Sequence, residues 1–155
     1  MFLLNNTSNS NIEQKCHEFK ATLNTPALCS WFAKFISLKR APVENNLHTM
    51  YIGLAEKINK PEIFKIMTSI AFKVLNKILE ADKLPLLDKT YGIEYNKQQV
   101  KNMGTWLGLL TLARNKPIII RELDLKTFII KCFFNQKVDI VIPVVCKILA
   151  AGAHQ

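Results

Sequence analysis

Turn-forming residues are scarce in this sequence. Five glycines and six prolines among 155 residues are too few for a sandwich or barrel that turns about every ten residues, so the composition leans helical. Arginine is scarce as well. The 21 basic residues oppose 12 acidic ones for a formal charge of +9, yet only Arg40, Arg114 and Arg121 carry the forked guanidinium suited to phosphate and guanine. The excess is spread evenly, with 10 basic and 6 acidic residues up to position 80 and 11 and 6 beyond it. No tail or half concentrates it, so it describes solvated helix faces, with a basic helical-repeat RNA-binding module as the alternative.

Long apolar runs are missing too. The most apolar stretch, Val138 to Ala153, has 16 residues interrupted by Asp139, Pro143 and Lys147, which suits a buried helix and not a membrane span. Met1 to Leu4 is too short for the apolar region of a secretory signal. Cys16, Cys29, Cys132 and Cys146 lie far apart with no CxxC spacing, and are expected to be free thiols in a reducing, cytoplasmic compartment. These cysteines and the three histidines lack metal-ligand spacing, and no glycine-rich phosphate loop is present. Cys16 and His17 are adjacent, but helical neighbours point about 100° apart, and nothing places His48 or His154 beside them as a base. Asp82, Asp88, Glu94, Glu122 and Asp124 fall in loops or at helix starts, where capping accounts for them. No set of residues proposes a reaction, so the chain is expected to be non-enzymatic, with no cofactor and no metal.

Helical periodicity is what remains, and it is abundant. Residues 1–9 are expected to be a disordered leader, followed by a single domain over 10–155. Ser10 and Glu13 have capping-box spacing ahead of a helix over 11–23 with Cys16, Phe19 and Leu23 inward. Thr25 and Pro26 start a second over 26–38, whose apolar stripe is Leu28, Trp31, Phe32 and Phe35. A third, 44–58, meets a fourth through the short turn Asn59-Lys60-Pro61-Glu62, and the fourth runs to Glu80. Residues 82–95, with Pro85 and Gly92, are expected to form the longest loop.

Asn96 caps a fifth helix, 97–114, apolar on more than one side and carrying Gly104 and Gly108 four residues apart. That spacing suggests close approach of another helix backbone. Ile118 to Ile120 is expected to be a buried connection, since no second strand is evident. Asp124 caps a sixth helix to Asn135 with Phe128 and Phe133 inward, and a seventh spans 138–150, placing Pro143 near its first turn or at a kink. Pairs beginning near residues 10, 44 and 97 suit a two-helix repeat, with a plain irregular bundle as the alternative. The aromatics fall mostly on apolar stripes, where core packing accounts for them. His48, Tyr51 and Phe64 flank the third turn and could face a partner.

Two segments carry a resemblance. They are Leu47-His48-Thr49-Met50-Tyr51 with Asn59-Lys60-Pro61-Glu62-Ile63-Phe64, and the string VKNMGTWLGLLTLARNKPI from Val100 to Ile118. Leu123 to Lys126 and Val141 to Leu149 extend it, so it covers about residues 10–150. The chain resembles the middle, Caf-binding domain of the Not scaffold subunit of the Ccr-Not deadenylase complex. The resemblance implies an all-α, right-handed HEAT-like solenoid of about seven helices in antiparallel pairs, the N-terminal portion of a fold like the middle domain of initiation factor four-G. The family domain continues for about two further pairs, so the chain looks truncated at Gln155.

It also implies a non-catalytic scaffold, by itself a monomer off the membrane, that docks a Caf-type deadenylase and a DEAD-box ATPase in mRNA deadenylation, decay and translational repression. Such a complex works in the cytoplasm and also in the nucleus, and direct RNA contact stays open. Surface-prone positions inside the matching segments are the candidate contacts: His48, Tyr51, Asn59, Lys60, Pro61 and Phe64 at one turn, and Arg114, Asn115, Lys116 and Pro117 at the other.

Overall fold

In the computed structural model, residues 1–153 are described, and His154, named above beside the thiols, lies outside them. The expected helices are present. They are α2 (Ile12–Thr22), α3 (Pro26–Phe35), α4 (His48–Ile58), α5 (Pro61–Glu80), α6 (Lys97–Leu110), α7 (Leu125–Phe134) and α8 (Val138–Gly152), preceded by a one-turn α1 (Phe2–Asn5). Among the described residues the only strands are β1 (Leu86–Asp88) and β2 (Ile93–Tyr95).

Side-chain caps set several boundaries. Thr25 accepts from the Leu28 amide and Pro26 occupies the first turn of α3, where its missing N–H costs nothing. Asn96 accepts from Gln98 and Gln99 while the Gln99 side chain returns to the Asn96 amide, a complete capping box. Asp124 accepts from Thr127 at α7. The Ser10/Glu13 box does not form: α2 starts after Asn11, and Glu13 pairs with Lys57 of α4 instead. Pro143 lies inside α8, beyond the first turn, so the carbonyl one turn back lacks its usual helical donor.

Helices one apart in the chain stack on one another. α2 lies on α4 and α4 on α6, forming one row, while α3 lies on α5 in a second. These paired layers make an all-α, solenoid-like domain. Its core runs through both rows, with Phe32, Tyr51, Leu54, Ile63, Met67, Leu75, Met103 and Trp106 essentially solvent-free. The most extensive contact joins α6 to α8, and the glycine pair explains it. A Cβ on Gly108 would stand 2.5 Å from the Ile148 carbonyl oxygen and 2.7 Å from the Ala151 Cβ, and one on Gly104 would stand 3.0 Å from the Val144 carbonyl.

The structure departs from the sequence reading in four places. Residues 1–9 include α1, and Leu4 is buried in the core. Residues 82–95 contain an antiparallel hairpin in which Leu86 faces Tyr95 and Asp88 faces Ile93, with Gly92 at φ +64° in the turn. Its strands are too short for a two-residue alternation to show. Ile118 is half-buried, but Ile119 and Ile120 are exposed. Trp31, Phe133 and Phe134, assigned to the core by periodicity, are exposed, because α3 and α7 are covered on one side only.

Candidate functional site

The two turns singled out in the sequence meet. Asn59, Lys60, Pro61 and Phe64 from the α4–α5 turn, and Arg114, Lys116 and Pro117 from the segment after α6, line one groove of about 590 Å³. The α5–α6 packing brings them together. Both turns use the same device: Asn59 ends α4 at φ 57° and Asn115 closes the short helical turn Leu112–Arg114 at φ 58°. Asparagine tolerates this left-handed conformation, which reverses the chain sharply. Pro61 then opens α5 from its first position, and Phe64 follows in the first turn.

At the centre, the Arg114 guanidinium lies 3.6 Å from the centre of the Phe64 ring. Its Nη1 donates to Glu56 Oε1 of α4 at 3.0 Å, while its Nε is buried and donates to no group among the described residues. Lys60 Nζ donates to the Leu23 carbonyl, tying the groove's lining to the end of α2. The Lys116 amide donates to the Thr111 carbonyl at 2.9 Å, holding the second turn against α6.

Several lining residues were not singled out from the sequence: Lys65, Thr68, Ser69 and Phe72 on α5, Leu110 on α6, and Ile119 and Glu122 beyond it. Lys65 and Ser69 look like an ordinary solvated face of α5, and only the chain crossing opposite them makes that face a wall. The floor is apolar, with Phe64, Phe72 and Leu110. The charged lining is mainly cationic, with Lys60, Lys65, Arg114 and Lys116 against Glu56 and Glu122. Such a surface can grip an apolar side chain flanked by acidic or hydrogen-bonding groups.

Three expected contact residues fall elsewhere. Asn115 shapes its turn without lining the groove. His48 and Tyr51 are buried, so the expectation that they are surface contacts is corrected. His48 Nε2 pairs with the Ala41 carbonyl at 2.7 Å and its ring rests on Trp106 of α6, centroids 5.0 Å apart. Burial pushes its imidazole below the usual range, and the bond to Ala41 opposes that only in part. Tyr51 donates to Glu44, and burial together with that acceptor pushes its phenol well above the usual range. The chain between α3 and α4 supplies the partners of His48 Nε2 and the Tyr51 hydroxyl, which their own spacing on α4 cannot reveal, while His48 Nδ1 is buried without a partner among the described residues.

The cysteines are unpaired, with Cys16, Cys29 and Cys132 buried and Cys146 exposed. Among the described residues no three His, Cys, Asp or Glu side chains gather as metal ligands, and no helix is long and apolar enough to cross a membrane.

Comparison with known proteins gives the same picture. The chain is 32% identical over 154 residues to the CCR4-NOT transcription complex subunit let-711 of Caenorhabditis elegans, covering 97% of this chain and 6% of that protein. It is 30% identical over 154 residues to general negative regulator of transcription subunit 1 of Saccharomyces cerevisiae, covering 99% of this chain and 7% of the other. With the Schizosaccharomyces pombe protein of the same name it shares 31% over 151 residues, 96% of this chain and 7% of the other. The chain thus spans only a small fraction of the length of these relatives. The family described as the CCR4-NOT transcription complex subunit 1 CAF1-binding domain matches residues 1–155, end to end, and with its helical stack and motif-lined groove the chain belongs to that family.

Proposed function

We propose that this chain is a non-catalytic docking domain that holds a Caf-type deadenylase within a Ccr-Not complex and offers a surface to a DEAD-box ATPase. The family's description supports the first partner. The groove carries the docking reading: two turns more than fifty residues apart in sequence present Phe64 and Arg114 in one preformed, basic-lined concavity.

Tethering acts by effective concentration. A nuclease held on a scaffold that is itself attached to mRNA meets the transcript at concentrations that reach the millimolar range for short linkages. Deadenylation, decay and translational repression follow from that placement, in the cytoplasm and in the nucleus wherever the complex acts. In this reading the isolated chain is a monomer.

The test is a pull-down of the purified chain with each partner separately, wild type against Arg114→Glu and Phe64→Ala. Both partners bind the wild type, and the groove variants lose at least one of them, which assigns the groove to that partner. Binding of neither partner to the wild type overturns the function, and full binding of both to the variants overturns the groove as the docking surface.

A further inference from the structure

A second surface, on α3, is built differently from the groove. Trp31 is 48% exposed on the outer face of this helix, whereas Trp106 is fully buried. The Trp31 indole stacks on Phe35 with centroids 5.3 Å apart and planes 13° from parallel. Phe35 also carries the Arg40 guanidinium, 5.4 Å from the centre of its ring. Arg40 is fixed in turn by Glu44 at 2.8 Å and by Asn5. The exposed indole is therefore braced from beneath.

The stripe runs on past the stacked pair. Lys39, one helical turn beyond Phe35 and about 12 Å along the axis from Trp31, donates to the Tyr91 carbonyl at 2.9 Å in the hairpin turn. Tyr91 is 44% exposed and follows Lys89 by two residues in the hairpin turn. From Pro26 to Arg40 there are three cations, Lys34, Lys39 and Arg40, and no acidic residue. Glu44, at the far end, is already engaged by Arg40 and Tyr51. An exposed aromatic ring flanked by Lys34 and Lys39, with the one nearby acid, Glu44, already engaged, complements a partner with flat π-faces and negative charge.

We propose that the outer face of α3 binds single-stranded RNA, with bases stacking on Trp31 and phosphates drawn to Lys34, Lys39 and Lys89. The choice of RNA rests on the docking function above, which places the chain beside mRNA; the stacking face stands apart from that function and from the groove. Contact of this kind reads no sequence. Affinity falls with salt, log K losing about 0.7 per neutralised phosphate for each tenfold rise in salt.

The arrangement of the two tryptophans supplies the measurement. A 12-residue oligouridylate titrated into the chain at about 50 mM salt quenches Trp31 and leaves Trp106 unaffected. Fluorescence anisotropy of the labelled oligonucleotide then compares variants. Trp31→Ala weakens binding by about tenfold or more, in line with the loss of one stacked base, and Trp31→Phe restores most of it. Lys34→Ala with Lys39→Ala flattens the salt dependence. Circular dichroism melting confirms that each variant is folded. Absence of quenching at low salt, equal binding by Trp31→Ala, or tighter binding to duplex than to single strand overturns the proposal. So does loss of the Caf-type deadenylase from Trp31→Ala with no RNA binding by the wild type, which makes this face a protein interface. A chain that binds RNA but no deadenylase separates the two proposals.

Discussion

Arg114 covers the face of Phe64 with its guanidinium 3.6 Å from the ring centre, and it reaches Glu56 with the same group. One side chain thus ties the exit of α6 to α4 and α5. Because the Arg114 side chain is 25% exposed, the ring contact falls in the partly desolvated range, about 1 kcal/mol. Urea unfolding of Arg114→Ala, Phe64→Leu and the double variant is expected to show a coupling energy of that size. Arg114→Lys does not recover it, since an ammonium cannot lie flat on the ring while reaching Glu56. Strict additivity of the two single variants refutes the coupling.

Two glycines in helices respond in opposite directions to alanine. Gly108→Ala drives a methyl group into the Ile148 carbonyl and Ala151, and is expected to cost about 1–3 kcal/mol despite the better helix propensity. A Cβ on Gly53 of α4 meets nothing nearer than Ile12 Cδ1 at 3.8 Å. Gly53→Ala therefore gains up to about 1 kcal/mol. Urea midpoints of the two variants on either side of the wild type are the expected result, and a stabilised Gly108→Ala contradicts the close approach of α6 and α8.

The stability of the chain depends on His48 at mildly acidic pH. Burial lowers its pKa in the folded state from the ordinary 6.5, so the unfolded chain binds the proton more readily. Its contribution is complete above about pH 6.5 and is lost as the pH falls from there toward the lowered folded value. Thermal melts between about pH 7.5 and 5 should fall more steeply for the wild type than for His48→Gln, which keeps a donor for the Ala41 carbonyl and does not titrate. Parallel curves for the two proteins rule His48 out as the source.

Much of the architecture was legible because it is local. Thr25, Asn96 and Asp124 announce helix starts through side chains that bond amides two or three residues on, and Gly104 with Gly108 announces a backbone contact through spacing alone. The hairpin at 86–95 was not legible, since three-residue strands hold too little alternation to separate from a loop. Exposure was misjudged for the same reason in two directions. Trp31, Phe133 and Phe134 have helical spacing but no neighbour on that side, whereas His48 and Tyr51 are polar yet covered, with acceptors at Ala41 and Glu44 that only tertiary structure brings near. The candidate groove was half legible. Its two turns stood out as motifs, but the α5 wall between them is an ordinary polar face until the chain after α6 crosses it.

The glycine-lined meeting of α6 and α8 sets the mechanics of the groove. Where two helices touch backbone to backbone, no long side chain can change rotamer and let one slide on the other, so the pair behaves as a stiff slab. Arg114 leaves the end of that slab after a single short turn. The spacing between its guanidinium and the α5 wall is therefore inherited from peptide geometry. On the docking proposed above, a partner would meet a mould already set, with little of its binding energy diverted into ordering the receiving surface.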